Sequence, residues 1–359
     1  MSVLPTHLVE TTGTNLPHET LHVVKGRRSG LTISIAVHST VLGPALGGCR
    51  VWTYDSWVDA VEDSLRLAEG MTLKNSAAGL NRGGGKTVVY LPRGTVLSAE
   101  QRHEVMLDLG DAVESLGGAY MTAEDVGTSA EDMAVVATRT AHVCGLPSSQ
   151  GGVGEPSDAT AAGVYAGLLA TLERAFGSRS VAGRRFTVLG LGHVGSIIAM
   201  RLASEGAVLT VTDVNPAKRA MAEALGATWV APSEAHAVEG DVFVPAGVGG
   251  ILTDQVIDEL RVKAVVGPAN NQLAHRDGAE RLAARGILWA PDFVVNAGGV
   301  IFLSMMSEEH LSAEATQERV DRIGDTVTEI FDVADRRGIT TLEAAEEIAL
   351  ARLREPANA

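Results

Sequence analysis

Two lysines, Lys74 and Lys86, lie among small and apolar residues in the stretch from position 70 to 87. A solvated surface lysine is not expected in such surroundings. An ammonium group that is close to a second ammonium group and shielded from water has a lowered pKa. One lysine of such a pair can act as a base near neutral pH while the other binds an anion. We therefore interpret this stretch as the reaction centre.

Two other interpretations of the stretch are a phosphate-binding loop and a plain glycine-rich turn. The run Gly85-Lys86-Thr87 looks like the end of a Walker A loop, but the position that requires the first glycine of that motif holds Leu80. No predicted strand leads into the segment either, so the motif fails. A turn whose glycines only redirect the chain stays open as an alternative.

Asp125 is the acidic residue that best suits a reaction centre. It follows a predicted strand at 119–123 and lies close to Gly127. Acidic residues at the end of a strand are well placed for a cleft, although such positions also cap helices. We interpret Asp125 as catalytic and either Glu124 or Thr128 as a cap.

Regular elements must position these residues. Alternation predicts a strand at 31–37, and 57–69 is predicted to be a helix that leads to Lys74. The apolar face of this helix is predicted to consist of Val58, Val61, Leu65 and Ala68. The stretch 43–50 is predicted to be rich in turns, where glycine lets the backbone approach a ligand and Leu46 can offer an apolar wall.

A dinucleotide-binding motif follows in the second half of the chain. A predicted strand at 186–189 leads into Gly190-Leu-Gly192-His-Val-Gly195, then a helix, a second strand at 208–211 and Asp213. This order predicts a Rossmann unit with the pyrophosphate at the helix N-terminus. Asp213 can bind both ribose hydroxyls and would repel a 2′-phosphate, which favours NAD over NADP. His193 and Val194 belong to this cofactor loop, and we do not interpret His193 as catalytic.

Two more predicted strands, at 242–247 and 264–271, place small residues at their carboxyl ends, where ligands of such sheets bind. Gly247, Val248 and Asn270 should therefore face the cofactor. Residues rich in Pro, Ser, Gln and Gly near 147–156 mark the domain boundary. We predict a substrate-binding and oligomerisation domain at 1–150, joined by a C-terminal helix at about 335–359, and an NAD-binding domain at 151–334.

Composition limits the possible partners. A length of 359 residues suggests two domains, and 45% apolar residues with a mean hydropathy of +0.14 are typical of a soluble globular protein. Without an apolar run long enough for a bilayer or a signal pattern, we expect a cytoplasmic protein. The net charge of −15 argues against nucleic acid or an anionic membrane as partner. Cys49 and Cys144 are interpreted as buried, and no metal site is predicted.

Seven motifs in order resemble those of the amino-acid dehydrogenases that act on glutamate, leucine, phenylalanine and valine, and most closely the branched-chain and aromatic members. They are Gly43-Pro-Ala-Leu-Gly-Gly-Cys-Arg50, Gly70-Met-Thr-Leu-Lys74, Gly83-Gly-Gly-Lys86, Ala123-Glu-Asp-Val-Gly-Thr128, Gly190-Leu-Gly192, Pro268-Ala-Asn-Asn-Gln-Leu273 and Asn296-Ala-Gly-Gly299. The resemblance implies two α/β domains with a cleft between them and a homo-oligomer, dimeric or octameric. It also implies NAD-dependent, reversible oxidative deamination of an L-amino acid to a 2-oxo acid and ammonia.

The same resemblance implies roles for single residues. Lys86 would activate water, Asp125 would relay protons, and Lys74 would hold the substrate carboxylate with help from Asn270 and the backbone of Gly47 and Gly48. Arg50 and Thr160 would approach the nicotinamide. The pocket positions would be Leu46, Ala123 and Val294. All three are apolar, which favours leucine, valine or isoleucine as substrate, with phenylalanine as the alternative.

Two other classes of protein stay open. A 2-hydroxy acid dehydrogenase would use a histidine paired with a carboxylate, and no histidine here lies in a motif that suggests such a pair. A non-catalytic nucleotide-binding regulator would keep the fold. Intact Lys74, Lys86 and Asp125 argue against a regulator, because a binding protein needs no base.

Overall fold

The computed structural model describes residues 17–150, 152–308 and 311–354. The chain forms two compact units. Within the described residues, the first unit contains the chain up to Pro156, the segment from Phe302 to Ser312, and the chain from Ala349 onward. The second unit contains 157–301 and 313–348.

A five-stranded mixed sheet forms the centre of the first unit, in the order β1-β2-β4-β3-β5. β3 runs parallel to β4 on one side and to β5 on the other, whereas β2 is antiparallel to β4 and β1. The strands are β1 Thr20–Lys25, β2 Thr32–Ser39, β3 Ala45–Tyr54, β4 Gly83–Pro92 and β5 Tyr120–Glu124. The helices are α1 Trp57–Ala77, α2 Ala99–Glu114 and α3 Ala130–Val136. The predicted strand at 31–37 and helix at 57–69 are confirmed as β2 and α1.

Two glycine-rich stretches are strands, one that was predicted to be rich in turns and one for which a turn was the open alternative. Residues 45–50 lie in β3, and Gly83 to Lys86 lie in β4. A Cβ on Gly47 would lie 1.8 Å from the Gly85 carbonyl oxygen, and a Cβ on Gly84 would lie 2.1 Å from the Thr72 nitrogen. These glycines are therefore explained by the close approach of neighbouring backbone, which glycine permits inside strands.

The face that α1 buries also differs from the prediction. Val58, predicted to be on the buried face, is 43% exposed. The buried residues are mostly polar and small, namely Ala60, Asp63, Ser64, Ala68, Thr72, Asn75 and Ser76. The sheet supplies hydrogen-bond partners for this face, since Asn75 Nδ2 donates to the carbonyl oxygens of Leu46 and Gly83 at 3.1 and 2.6 Å. A polar face can be buried where most of its groups are hydrogen-bonded.

The second unit is a doubly wound α/β unit. Its sheet has the order β11-β10-β9-β6-β7-β8 with every pair parallel. This is the Rossmann order, with the switch point between β6 and β9. The strands are β6 Arg185–Leu189, β7 Val208–Thr212, β8 Thr228–Trp229, β9 Val242–Pro245, β10 Ala264–Val265 and β11 Leu288–Trp289.

Helices flank this sheet and continue to the end of the described chain. They are α4 Ser157–Phe176, α5 His193–Ser204, α6 Arg219–Ala224, α7 Asp254–Glu259, α8 Gly278–Ala284, α9 Asp292–Val295, α10 Gly298–Phe302, α11 Ala313–Asp321, α12 Ile323–Arg337 and α13 Thr341–Arg354. Cys49 and Cys144 are both buried, as predicted. Within the described ranges, no helix combines the length and apolar character that crossing a bilayer requires.

Candidate active site

Lys86 and Asp125 form an ion pair in the interior of the first unit. Lys86 Nζ lies 3.0 Å from Asp125 Oδ2, and the two side chains are 6% and 19% exposed. Lys86 is on β4 and Asp125 follows β5, so β3 runs between them. Adjacent strands are about 4.8 Å apart, and the lysine side chain must therefore cross β3. The absence of a side chain at Gly48 lets Asp125 approach β3, because a Cβ there would lie 2.8 Å from Asp125 Cβ.

Arg50 brings a second cation to the same carboxylate. Its Nε donates to Asp125 Oδ2 at 3.1 Å. Burial alone would raise the pKa of Asp125, but the charges of Lys86 and Arg50 outweigh it and lower that pKa to about 2. Asp125 is therefore a carboxylate at neutral pH.

Lys74 lies half-buried in the last turn of α1. The neighbouring Asn75 ties this turn to β3 and β4 through its bonds to Leu46 and Gly83. The turn that carries Lys74 is thus fixed to the two strands that carry Gly48 and Lys86.

The three predicted pocket residues are all buried. Leu46 is 1% exposed on β3, Ala123 is 5% exposed on the adjacent β5, and Val294 is 2% exposed on α9 of the second unit. Their apolar character is consistent with an apolar ligand, but their contact with one remains a prediction.

The three glycines of the cofactor loop have different surroundings. Gly190 has a φ of +107°, and a Cβ there would lie 2.7 Å from the Ala246 carbonyl oxygen. A Cβ on Gly195 would lie 2.2 Å from the Gly190 carbonyl oxygen, whereas one on Gly192 would meet nothing within 4 Å. The first and third glycines permit the turn and its packing against α5. The space beside Gly192, at the N-terminus of α5, fits a pyrophosphate.

Asp213 is fixed at the end of β7 by two backbone groups. Leu191 N–H donates to its Oδ2 at 2.7 Å, and Asn215 N–H donates to its Oδ1 at 2.8 Å. Each carboxylate oxygen has a further lone pair, which can accept from a ribose hydroxyl. The carboxylate and the open glycine loop therefore fit a dinucleotide.

Five other predicted cofactor residues occupy the same unit. His193 is exposed and Val194 half-buried at the start of α5, and Thr160 is half-buried in α4. Gly247 and Val248 are exposed just after β9, where Val248 is 78% exposed. Their contacts with a cofactor stay predictions.

Asn270 is exposed beyond β10, and its amide is oriented by Asn296. Asn296 Nδ2 donates to Asn270 Oδ1 at 2.8 Å, and Asn296 itself is only 4% exposed. Because the oxygen of Asn270 is engaged, its NH₂ group is available to donate to an anion.

Comparison with known proteins identifies the family. Residues 18–142 match the family model described as Glu/Leu/Phe/Val dehydrogenase, dimerisation domain, and residues 217–359 match Glutamate/Leucine/Phenylalanine/Valine dehydrogenase. The chain belongs to this family. A leucine dehydrogenase from Thermoactinomyces intermedius is 43% identical over 342 residues, which is 94% of this chain and 91% of that protein.

Other amino-acid dehydrogenases are also similar to this chain in sequence or in structure. A valine dehydrogenase from Streptomyces coelicolor is 41% identical over 344 residues, 94% of this chain and 93% of its own. The crystal structure of L-tryptophan dehydrogenase from Nostoc punctiforme superimposes with a TM-score of 0.81 at 32% identity, covering 94% of this chain and 96% of that one. The resemblance inferred from the motifs, the α/β fold and the enzyme class, an amino-acid dehydrogenase with a dinucleotide-binding domain, are confirmed.

Sequence reasoning missed one group of residues in this family member. Arg50, predicted to approach the nicotinamide, is bound on its other side by Asp63, with Nη1 3.0 Å from Asp63 Oδ2. Tyr54 and Arg66 also bind Asp63. In the sequence, Asp63 and Arg66 look like an ordinary surface pair three residues apart on a helix. No local pattern indicates the contact with Arg50, whose predicted cofactor role stays a prediction.

Proposed function

We propose that the chain catalyses NAD-dependent oxidative deamination of an apolar L-amino acid to the 2-oxo acid and ammonia, and the reverse amination. The observation that carries this proposal is the buried contact between Lys86 and Asp125 in a chain of this family. A base and a proton acceptor within 3.0 Å of each other suit a reaction that must both deprotonate an amine and add water to an imine.

Three types of donor would hold the substrate carboxylate. Lys74 supplies a charge, which gives the strongest type of hydrogen bond to a carboxylate. The Asn270 amide supplies a donor whose orientation Asn296 fixes. The backbone of Gly47 and Gly48 can approach closely because neither residue has a side chain.

Proton movements are assigned to Asp125 and Lys86. Asp125, a carboxylate at neutral pH, accepts the proton that the substrate ammonium must lose. Lys86 is charged in its ion pair with Asp125, so it acts as a base only after releasing that proton to solvent. As the free amine it then takes a proton from the water that attacks the imine carbon, and its contact with Asp125 provides a path for that proton. NAD, when bound, supplies the hydride acceptor. The products are the 2-oxo acid, ammonium, reduced cofactor and one proton.

The preference for NAD over NADP is assigned to Asp213. Its carboxylate, held by Leu191 and Asn215, would accept from ribose hydroxyls and repel a 2′-phosphate. Gly190, Gly192 and the N-terminus of α5 would hold the pyrophosphate.

Leucine, valine or isoleucine are the proposed substrates, because Leu46, Ala123 and Val294 are apolar. Relatives named leucine dehydrogenase, at 40% to 43% identity, support this choice. Phenylalanine is the alternative, since a phenylalanine dehydrogenase from Bacillus thermotolerans is 39% identical over 345 residues.

A homo-oligomer, dimeric or octameric, is part of the same proposal. The description of the matching N-terminal family model as a dimerisation domain supports it. Light scattering of the purified protein would measure the mass, and a monomer at assay concentration would contradict this part.

The test is NADH formation at alkaline pH with L-amino acids from alanine to tryptophan, with glutamate and lactate included. We expect turnover with leucine, valine or isoleucine, and turnover mainly with phenylalanine would select the alternative. Activity on lactate alone would replace the mechanism. Tight NAD binding without turnover of any compound would support a nucleotide-binding regulator.

A further inference from the structure

Arg50 is held between two carboxylates, Asp125 at the reaction centre and Asp63 on α1. We propose that Asp63 is a positioning residue for the reaction, which fixes the Arg50 guanidinium so that one carboxylate oxygen of Asp125 is occupied and the other faces the substrate nitrogen. This inference depends on the proposed function, since it assigns a role within that chemistry.

The two contacts fix the orientation of the guanidinium. Arg50 uses Nε for Asp125 at 3.1 Å and Nη1 for Asp63 at 3.0 Å. The guanidinium is planar and its donors have fixed directions, so two contacts on different edges define its plane. Arg50 and Asp63 are 16% and 9% exposed, so solvent competes little for these bonds.

Both cations at Asp125 bind the same oxygen. Lys86 Nζ and Arg50 Nε each contact Oδ2, at 3.0 and 3.1 Å. Oδ1 is therefore the oxygen that can meet the amino group of a substrate. A guanidinium that rotated would have donors for both oxygens, because bidentate pairing is a common geometry for arginine and carboxylate. Asp63 opposes that rotation by binding Nη1.

Asp63 is itself held by three residues. Tyr54 donates its hydroxyl to Oδ2 at 2.7 Å, and Arg66 donates to Oδ1 at 2.6 Å. Burial raises the pKa of Asp63, but the charges of Arg66 and Arg50 outweigh it and leave that pKa lowered. A charged and fixed Asp63 can hold Arg50 in place, and the contacts run continuously from Tyr54 to Lys86.

The test compares Asp63→Asn, Arg50→Gln and the double variant with the wild type. Asn is close in shape to Asp, so Asp63→Asn removes the charge at little steric cost. A displacement of about 1 Å at a reacting group can cost on the order of 100-fold in rate. We expect Asp63→Asn to lower kcat by roughly 10- to 100-fold. The KM for the amino acid should stay within about threefold, because the substitution leaves Lys74, the proposed donor to the substrate carboxylate, in place.

If Asp63 acts through Arg50, the two substitutions must be non-additive. The double variant should be no slower than Arg50→Gln alone. Equal losses of kcat in both backgrounds, or an unchanged kcat in Asp63→Asn, would overturn the positioning role.

Glu62→Gln is the matched control, because Glu62 is an exposed carboxylate next to Asp63 on α1 and is not part of these contacts. We expect its kcat within about twofold of the wild type, as is usual for a surface substitution. Should Asp63→Asn fail to fold, Tyr54→Phe serves instead. It removes one hydrogen bond to Oδ2 and should lower kcat by roughly 3- to 10-fold, again only when Arg50 is present.

The activity of the wild type shows whether a negative result contradicts the proposed function or only the positioning role of Asp63. An inactive wild type with every amino acid would overturn the proposed function and the positioning role with it. An active wild type with additive variants would overturn the positioning role alone.

Discussion

The proposed reaction centre in the first unit consists of paired charges, whereas the proposed cofactor site in the second unit consists of an open backbone loop. In the first unit, Lys86 and Arg50 bind Asp125, and Asp63 binds Arg50, so each of these charges has a charged partner within the protein. In the second unit, the loop from Gly190 to Gly195 offers backbone donors, open space and the Asp213 carboxylate. A buried charge is costly unless it is paired. A region for proton transfer must therefore be assembled with its partners, whereas a region for a pyrophosphate can leave its donors open.

Lys86→Ala should have the largest effect, because it removes the proposed base of the first unit and leaves the cofactor loop of the second unchanged. Removing a general base costs about 10²- to 10⁴-fold in rate, so kcat should fall by that factor. The affinity for NAD should be unchanged, because Lys86 and the cofactor loop belong to different units. Steady-state kinetics and a fluorescence titration with NADH measure the two quantities.

Lys25→Ala, an exposed position on β1, is the control for loss of a lysine. Turnover like that of the wild type in Lys86→Ala would refute the assigned base.

Gly48→Ala and Gly192→Ala compare the two regions directly. A Cβ at Gly48 would lie 2.6 Å from the Glu124 carbonyl oxygen, whereas one at Gly192 would meet nothing within 4 Å. We expect Gly48→Ala to lower the free energy of unfolding by about 1 to 3 kcal/mol, as overpacking does, and to lower kcat. Gly192→Ala should fold normally and bind NAD roughly tenfold more weakly, about the effect of one hydrogen bond to a charged group. Denaturant unfolding and NADH titration check both variants. An equal loss of stability in the two variants would contradict the difference between Gly48, where a Cβ has no room, and Gly192, where it has room.

Asp213→Ser should shift the cofactor preference. Without the carboxylate, repulsion of a 2′-phosphate is lost, and the ratio of kcat/KM for NAD to that for NADP should fall roughly tenfold, equivalent to about 1.4 kcal/mol. The ratio is measured with one amino acid at a fixed concentration. An unchanged ratio would show that Asp213 does not determine the preference between NAD and NADP.

The smallest effect concerns acid stability. The pKa of Asp125 is lowered to about 2 in the fold, from an ordinary value of 3.8. Ionised Asp125 therefore contributes stability that is fully present above about pH 4 and is lost as the pH falls towards 2. The difference in the free energy of unfolding between wild type and Asp125→Asn should shrink across that window. Urea unfolding at several pH values measures it, and a constant difference would contradict the pairing of Asp125 with its two cations.

The same contrast explains how much could be predicted from sequence. Gly190, Gly192 and Asp213 could be identified because strand, glycines, helix and second strand follow one another along the chain, and each has a local pattern. Lys86 and Asp125 could be named through motifs of a known family. The strand character of Gly83 to Lys86 could not be predicted, because it depends on the backbone of β3 and α1, which come close only in the fold.

The role of Asp63 could not be predicted from the sequence either. A buried polar face of a helix has the residue types of an exposed one, and periodicity cannot distinguish the two. The predicted apolar face was therefore wrong at Val58, and the contact between Asp63 and Arg50 was missed.

The glycines of β3 and β4 also limit which codon changes the gene can tolerate. Every change in the first or second base of a glycine codon gives either a residue with a Cβ or a stop. At Gly47, Gly48, Gly83 and Gly84 such a Cβ would lie 1.8 to 2.6 Å from backbone atoms of neighbouring residues. Every single-nucleotide change at these codons other than a silent third-base change is consequently expected to destabilise the fold. A mutagenesis library for a new substrate range would gain most by sparing these four codons and varying those of Leu46 and Ala123.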